Sequence, residues 1–190
     1  MDLLRLPLVV LIEVFKNMNF GEKFLISLLS KRARNTLKLT CVAPHLSFQL
    51  SKDFYIYTSN CHTVVEDGEH FLIEGEILYM SIHRDIIILH EPWLYKQLLL
   101  AGYLLDLFTN STISIKLFKP TPPASAWEFM KLINQRQPRI KSVVNWLSGD
   151  SSEFVPKILD ECTEVIDFLA ILGTYPDDFV YTPPRPFKAK

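Results

Sequence analysis

Apolar positions crowd the first forty residues beyond what a helical pair of that size can hide. On a helix advancing 100° per residue, Glu13, Lys16 and Asn17 share an arc of roughly 100° with Val9 as its only apolar neighbour. Leu8, Val10, Leu11, Ile12, Val14, Phe15 and Met18 fill the remaining ~260°, whereas a helix on the surface of a globular domain needs an apolar stripe of only ~100° or slightly more. A break is predicted at Asn19-Phe20-Gly21, followed by a second helical run over Glu22–Arg32. Phe24, Leu25, Ile26, Leu28, Leu29 and Ala33 spread over ~200° of that run, opposite Lys23, Ser27, Ser30, Lys31 and Arg34. Helical units below ~40 residues rarely stand alone. The surplus apolar face therefore meets either the rest of the chain or a partner, and periodicity supports the two equally.

The pattern then changes period. Residues 46–90 read as strands: Phe54–Thr58, a hairpin of His62–Glu66 and Glu69–Ile73 about Asp67-Gly68, and a meander of Glu76–His83 and Ile86–His90 about Arg84-Asp85. Residues 93–108 return to helical spacing, and Ile113, Ile115 and Leu117 alternate as a strand. Lys119-Pro120-Thr121-Pro122-Pro123 reads as a linker or boundary. Beyond it a helix over 124–135, a strand over 140–147, a helix over 154–161 capped by Gly149-Asp150-Ser151-Ser152, and a strand over 165–172 are expected. These two helix–strand units resemble a leucine-rich-type array, whose repeats run ~20–29 residues and which needs about three of them to bury a continuous core. Thr182–Lys190, rich in proline, is expected to be disordered. The predicted fold is mixed α+β or α/β: a helical segment over 1–43, a strand-rich part with a helix over 44–118, a helix–strand domain over 119–181 and a tail over 182–190.

Composition narrows the function. A chain 48% hydrophobic and 22% charged is folded, and a net charge of −1 offers no global field for nucleic acid or an anionic membrane. The basic cluster Lys31, Arg32, Arg34 and Lys38 reads as a solvated helix C-terminus. Cys41, Cys61 and Cys162 are scattered without a CxxC pair, which suggests free thiols in a reducing compartment, cytoplasmic or nuclear. Asp2 and Glu13 argue against a signal peptide, and the longest apolar run falls short of the ~20 residues of a membrane span.

Catalytic chemistry finds little support. His45, His62, His70, His83 and His90 lie in the strand region without HExxH spacing, although His83 and His90 on neighbouring strands could form a pair. Cys61-His62 is the one Cys/His neighbour pair, and Glu66-Asp67-Gly68-Glu69 reads as a solvated turn. GxGxxG, P-loop and GxSxG motifs are absent from the sequence. Trp93, Trp127 and Trp146 read as core or interface anchors. No catalytic, cofactor or metal site is predicted.

The order of residue types at the N-terminus resembles the F-box. Leu6-Pro7 is followed by Leu11, Val14-Phe15 and Met18, then by Glu22, Phe24, Ile26 and Leu28, and finally by Ser30-Lys31-Arg32. Leu3-Leu4-Arg5-Leu6-Pro7 and Leu25–Arg32 are similar to one large, diversified F-box family whose members carry a type-2 F-box-associated domain, and Asp106-Leu107-Phe108 looks like the helix end that precedes that domain. Lys23 stands where an aliphatic residue is common and Leu29 where cysteine is. The resemblance implies that the F-box docks on the Skp adaptor of a cullin-based (SCF) ubiquitin ligase, that the C-terminal part holds a substrate protein, and that the chain itself catalyses nothing. It implies adaptor contacts at Leu6, Pro7, Leu11, Phe15, Leu25, Ile26 and Leu28. Relatives carry further units with a Trp-Ile-Thr-Leu-like strand that this sequence lacks, so the associated domain is expected to be shortened. The alternative expectation is a truncated interaction protein that binds the adaptor without delivering a substrate.

Overall fold

The computed structural model describes residues 6–42, 44–58, 67–136, 139–146, 153–172 and 179–189. Three helices open it: α1 (Leu8–Asn17), α2 (Phe20–Leu29) and α3 (Lys31–Thr40). Side-chain caps set the starts of α2 and α3. The Asn19 side chain accepts the Glu22 N–H at 2.9 Å, and the Glu22 carboxylate accepts the Asn19 N–H at 2.8 Å, closing a reciprocal capping box. The expected break therefore narrows to Asn19, and Phe20 and Gly21 are already helical. Ser30 ends α2 and caps α3, its hydroxyl accepting the Ala33 N–H at 3.1 Å. The single run expected over Glu22–Arg32 is thus divided, because a serine oxygen competes for backbone donors best at a helix start. The basic cluster is distributed along α3 rather than gathered at the end of α2.

An eight-stranded sheet follows among the described residues: β1 (His45–Leu50), β2 (Phe54–Tyr57), β3 (Glu69–Ile73), β4 (Glu76–Ile82), β5 (Ile86–Leu89), β6 (Thr112–Phe118), β7 (Ile140–Trp146) and β8 (Phe168–Leu172). Its order is β3-β4-β5-β2-β1-β6-β7-β8. The half from β3 to β1 is antiparallel, and β1, β6, β7 and β8 are mutually parallel. The helices α4 (Leu94–Leu107), α5 (Pro123–Arg136) and α6 (Phe154–Glu161) account for the change, since a parallel pair needs a crossover long enough to return the chain to the same end. β6, β7 and β8 begin at Thr112, Ile140 and Phe168, an even interval of 28 residues.

The hairpin joining β3 to β4 turns at Glu74-Gly75, where both residues have positive φ (50° and 91°), the handedness a two-residue hairpin requires. The first arm of the hairpin expected about Asp67-Gly68, His62–Glu66, lies outside the described residues, as do Cys61-His62 and the cap expected at Gly149–Ser152.

One buried cluster runs through the whole unit, from Leu11, Phe15 and Phe24 through Phe48, Phe54 and Phe129 to Ile158 and Val165. The rings of Phe48, Phe54 and Phe129 meet at centroid distances of 5.6–6.0 Å, joining β1, β2 and α5. The boundary expected at 118/119 is not a gap between cores: β6 is hydrogen-bonded to β1 on one side and β7 on the other, so Lys119–Pro123 turns the chain within one sheet. The tail differs as well. Of residues 182–190, expected to be disordered, Phe187 and Ala189 pack against the core and the Lys188 N–H donates to the Thr163 carbonyl at 3.2 Å, while Thr182, Pro184, Arg185, Pro186 and Lys188 are exposed.

Candidate adaptor-docking surface

The helical segment is fixed to the sheet unit by a small set of contacts. Phe20 lies 5.8 Å from Phe108, and Phe24 meets the edge of Tyr103 at 5.9 Å. The Tyr103 hydroxyl donates to the Ser27 carbonyl at 3.0 Å and lies 2.9 Å from Ser27 Oγ. Arg34 stacks on the same Tyr103 ring at 4.9 Å and pairs with Glu74 at the β3–β4 turn. The hydrogen bond to Glu74, the largest influence, raises the Arg34 pKa above its ordinary value. The Gly21 N–H donates to the Arg84 carbonyl at 3.0 Å, so α2 approaches the β4–β5 connection closely. A Cβ at Gly21 would sit 2.2 Å from the His83 carbonyl oxygen, leaving room for glycine alone.

This docking sorts the residues implied as adaptor contacts. Leu11 (4% exposed) and Phe15 (0%) are in the chain's own core, not at a surface. They sit four positions apart, and that narrow stripe is all that α1 buries. Leu6, Ile26 and Leu28 are half-buried and packed against the core, Pro7 is exposed, and Leu25 is partly open. Because α1 buries so little, Leu8, Val9 (73%) and Val10 stand exposed on it, and Leu29 (76%) stands exposed at the end of α2. Val9 carried a signal in the sequence, since it shares the polar arc of α1. Leu8 and Val10 carried none, because a ~260° apolar arc does not say which third of it is covered.

A second apolar surface lies on the sheet at the β8 edge. β7 and β8 turn Val143 inward, and their other face carries Trp146 opposite Leu172 and Phe168 opposite Ser142. Trp146, Phe168 and Leu172 are each about half exposed. Of the other tryptophans expected as anchors, Trp93 is exposed, and Trp127 is half-buried with Lys131 and Lys157 over its ring at 4.5 and 5.1 Å.

Of the described histidines, His70 and His90 both meet the Tyr79 ring, at 5.1 and 5.5 Å. His83 sits at the β4–β5 turn, whereas His90 follows β5 at the opposite end of that hairpin, so the two are not brought together. His90 Nε2 is 2.7 Å from Ser81 Oγ, and His45 Nδ1 is 2.8 Å from Thr112 Oγ1. Among the described residues no group of three or more His, Cys, Asp and Glu side chains is placed to hold a metal, and no helix is long and apolar enough to cross a membrane.

Residues 3–42 match the F-box domain family, the interval that contains α1, α2 and α3. The chain therefore carries an N-terminal F-box followed by a mixed α+β region rich in sheet. An F-box points to binding of a Skp-type adaptor within cullin-based SCF ubiquitin-ligase complexes, and F-box proteins are in general non-catalytic adaptors. Comparison with curated proteins and with solved structures found no match.

Proposed function

We propose that this chain is a substrate receptor of an SCF-type ubiquitin ligase, with the F-box as its handle and the parallel edge of the sheet as its grip. The observation that carries the reading is the F-box at residues 3–42 presenting an apolar surface that its own fold leaves uncovered. Leu6, Pro7, Leu25, Ile26 and Leu28 form the adaptor contact together with the more exposed Leu8, Val9, Val10 and Leu29. Leu11 and Phe15 hold α1 in place behind them. Each such side chain fully buried by a partner contributes ~1.5–3 kcal/mol gross. Association entropy offsets part of that sum, and micromolar or tighter binding remains.

The units β6-α5-β7 and β7-α6-β8 make a leucine-rich-type array, the core of a type-2 F-box-associated domain. The open face carrying Trp146, Phe168 and Leu172 receives the substrate protein. It lies at the opposite edge of the sheet from the strands that hold α2 and α3. The receptor accelerates ubiquitin transfer by holding substrate near machinery supplied by other subunits.

Titration calorimetry with purified Skp adaptor tests the handle. Wild type should bind, and Leu25→Asp with Leu29→Asp should weaken binding at least tenfold without unfolding. Equal binding by that double variant, or no binding by wild type, removes the reading. A reconstituted ligase tests the grip: adaptor binding without transfer to any co-purified protein would favour the alternative, an F-box protein that occupies the adaptor and delivers nothing.

A further inference from the structure

A cavity of about 300 Å³ lies beyond the carboxyl ends of β1 and β6, between the β1–β2 turn, the start of α4 and the start of α5. The two strands are adjacent and parallel, with Leu50 paired to Leu117. The chain leaves β1 toward β2 on one side and leaves β6 toward β7 on the other. Open α/β sheets hold ligands in the crevice where such connections part. Two polar side chains of this cavity are buried without a partner. Gln97, the fourth residue of α4, is 6% exposed, lines the cavity and makes no side-chain hydrogen bond among the described residues. Thr121, 5% exposed, lines it from the β6–α5 connection, and its buried hydroxyl has no hydrogen bond to give up to a ligand. Buried polar groups are normally paired, and leaving one unpaired is costly.

The first turn of α5 adds donors. Pro122 accepts the Ala126 N–H at 3.0 Å, while the Ala124 and Ser125 N–H groups have no acceptor among the described residues. Ser125 lines the cavity, as does the exposed Lys52. No acid opposes them: the first turns of α4 and α5 carry none, and none lines the cavity. The acids next to it in sequence are engaged elsewhere. Asp53 lies 3.7 Å from His90 Nδ1, and Glu91 accepts the Tyr79 N–H at 2.8 Å and pairs with Lys96. We propose that this cavity binds a phosphate-type oxyanion. Its donors come from four segments: Lys52 on the β1–β2 turn, Gln97 on α4, Thr121 on the β6–α5 connection and the first N–H groups of α5. Approach from several sides suits a tetrahedral oxyanion better than a carboxylate, which accepts near its own plane. The donor end of the α5 dipole and the Lys52 ammonium supply the positive charge.

Thermal melting of the full chain in inorganic phosphate, with sodium chloride holding the ionic strength constant, tests the site. The melting temperature should rise with phosphate, because a ligand held only by the folded state stabilises it. Acetate at the same concentration should give no comparable rise. O-phosphoserine is run in parallel, and tighter binding than inorganic phosphate would assign the anion to a phosphoryl ester. Lys52→Ala, at an exposed position, should need several-fold more phosphate for the same rise. Gln97→Leu with Thr121→Val should weaken phosphate at least tenfold, since hydrogen bonds to a charged group are the stronger ones. Amide resonances of Ala124 and Ser125 should shift as phosphate is added. No rise, an equal rise in acetate, or an equal rise in Lys52→Ala and the double variant, meaning an adventitious ion only, overturns the proposal. Should the double variant fail to fold, Lys52→Ala and the amide shifts decide the matter.

Discussion

The Tyr103 hydroxyl on α4 donates to the Ser27 carbonyl on α2 across 3.0 Å, and Ser27 is itself almost wholly buried. This polar contact lies inside a buried seam, where an amide carbonyl left unpaired is costly. Tyr103→Phe should therefore lower stability by about 1–2 kcal/mol. Urea unfolding monitored by tryptophan fluorescence measures it, and an unchanged midpoint would show that the seam does not depend on this bond.

A steric prediction concerns the same seam. Gly21→Ala places a methyl 2.2 Å from the His83 carbonyl oxygen, which belongs to backbone and cannot swing away. Overpacking of this kind costs about 1–3 kcal/mol. The loss should appear as a lower melting temperature, with weakened protection from hydrogen exchange across residues 82–86. Wild-type melting would mean that α2 can stand off from β4 and β5.

Two residues of α1 should separate folding from docking. Phe15→Ala should cost about 3–5 kcal/mol of stability, as for other buried aromatic truncations. Val9→Asp, at a solvated position, should leave stability within about 0.5 kcal/mol while weakening adaptor binding. A stability loss at Val9 equal to that at Phe15 would place α1 differently.

The helix caps make a local prediction. Asn19→Ala and Ser30→Ala each remove a side-chain acceptor from the first turn of a helix, and each should cost about 1 kcal/mol. Unfolding midpoints of the two single variants and the double variant measure this. The two sites cap different helices, so their effects should add.

The pH dependence follows from His45, which sits between β1 and β6 with its ring against Thr112. Burial first, and then Lys141, holds its pKa below the ordinary histidine value. The folded state resists protonation while the unfolded chain accepts it, so this contribution is present above the unfolded pKa near 6.5 and is lost progressively as pH falls from there through the lower folded pKa. His45→Gln should flatten the fall in stability between about pH 7 and pH 5. An undiminished slope would assign the proton uptake to another group.

Local signals in the sequence reached far because local physics governs them. Alternation marked Ile113, Ile115 and Leu117 as β6, helical spacing marked α4 and α5, and Leu6-Pro7 with the residues through Arg32 marked the F-box now matched at residues 3–42. The division at Ser30 was missed because apolar spacing continues across it, and a single hydroxyl decides whether a helix continues or restarts.

What the chain determined by itself is most of its elements, the division between α2 and α3 excepted, and the excess of apolar surface at its start, since periodicity and residue order fix these without reference to distant partners. Tertiary structure alone decided which part of that surface is spent inside. Leu11 and Phe15 look equivalent to Leu8 and Val10 on a helical wheel, yet packing against α3 and into the common core buries the first pair and leaves the second in water. The same holds at the other end, where a proline-rich tail without periodicity is tied to the end of α6 and the residues after it through Asp160 and Glu164. Burial is a property of two surfaces meeting, and a linear pattern records only one of them.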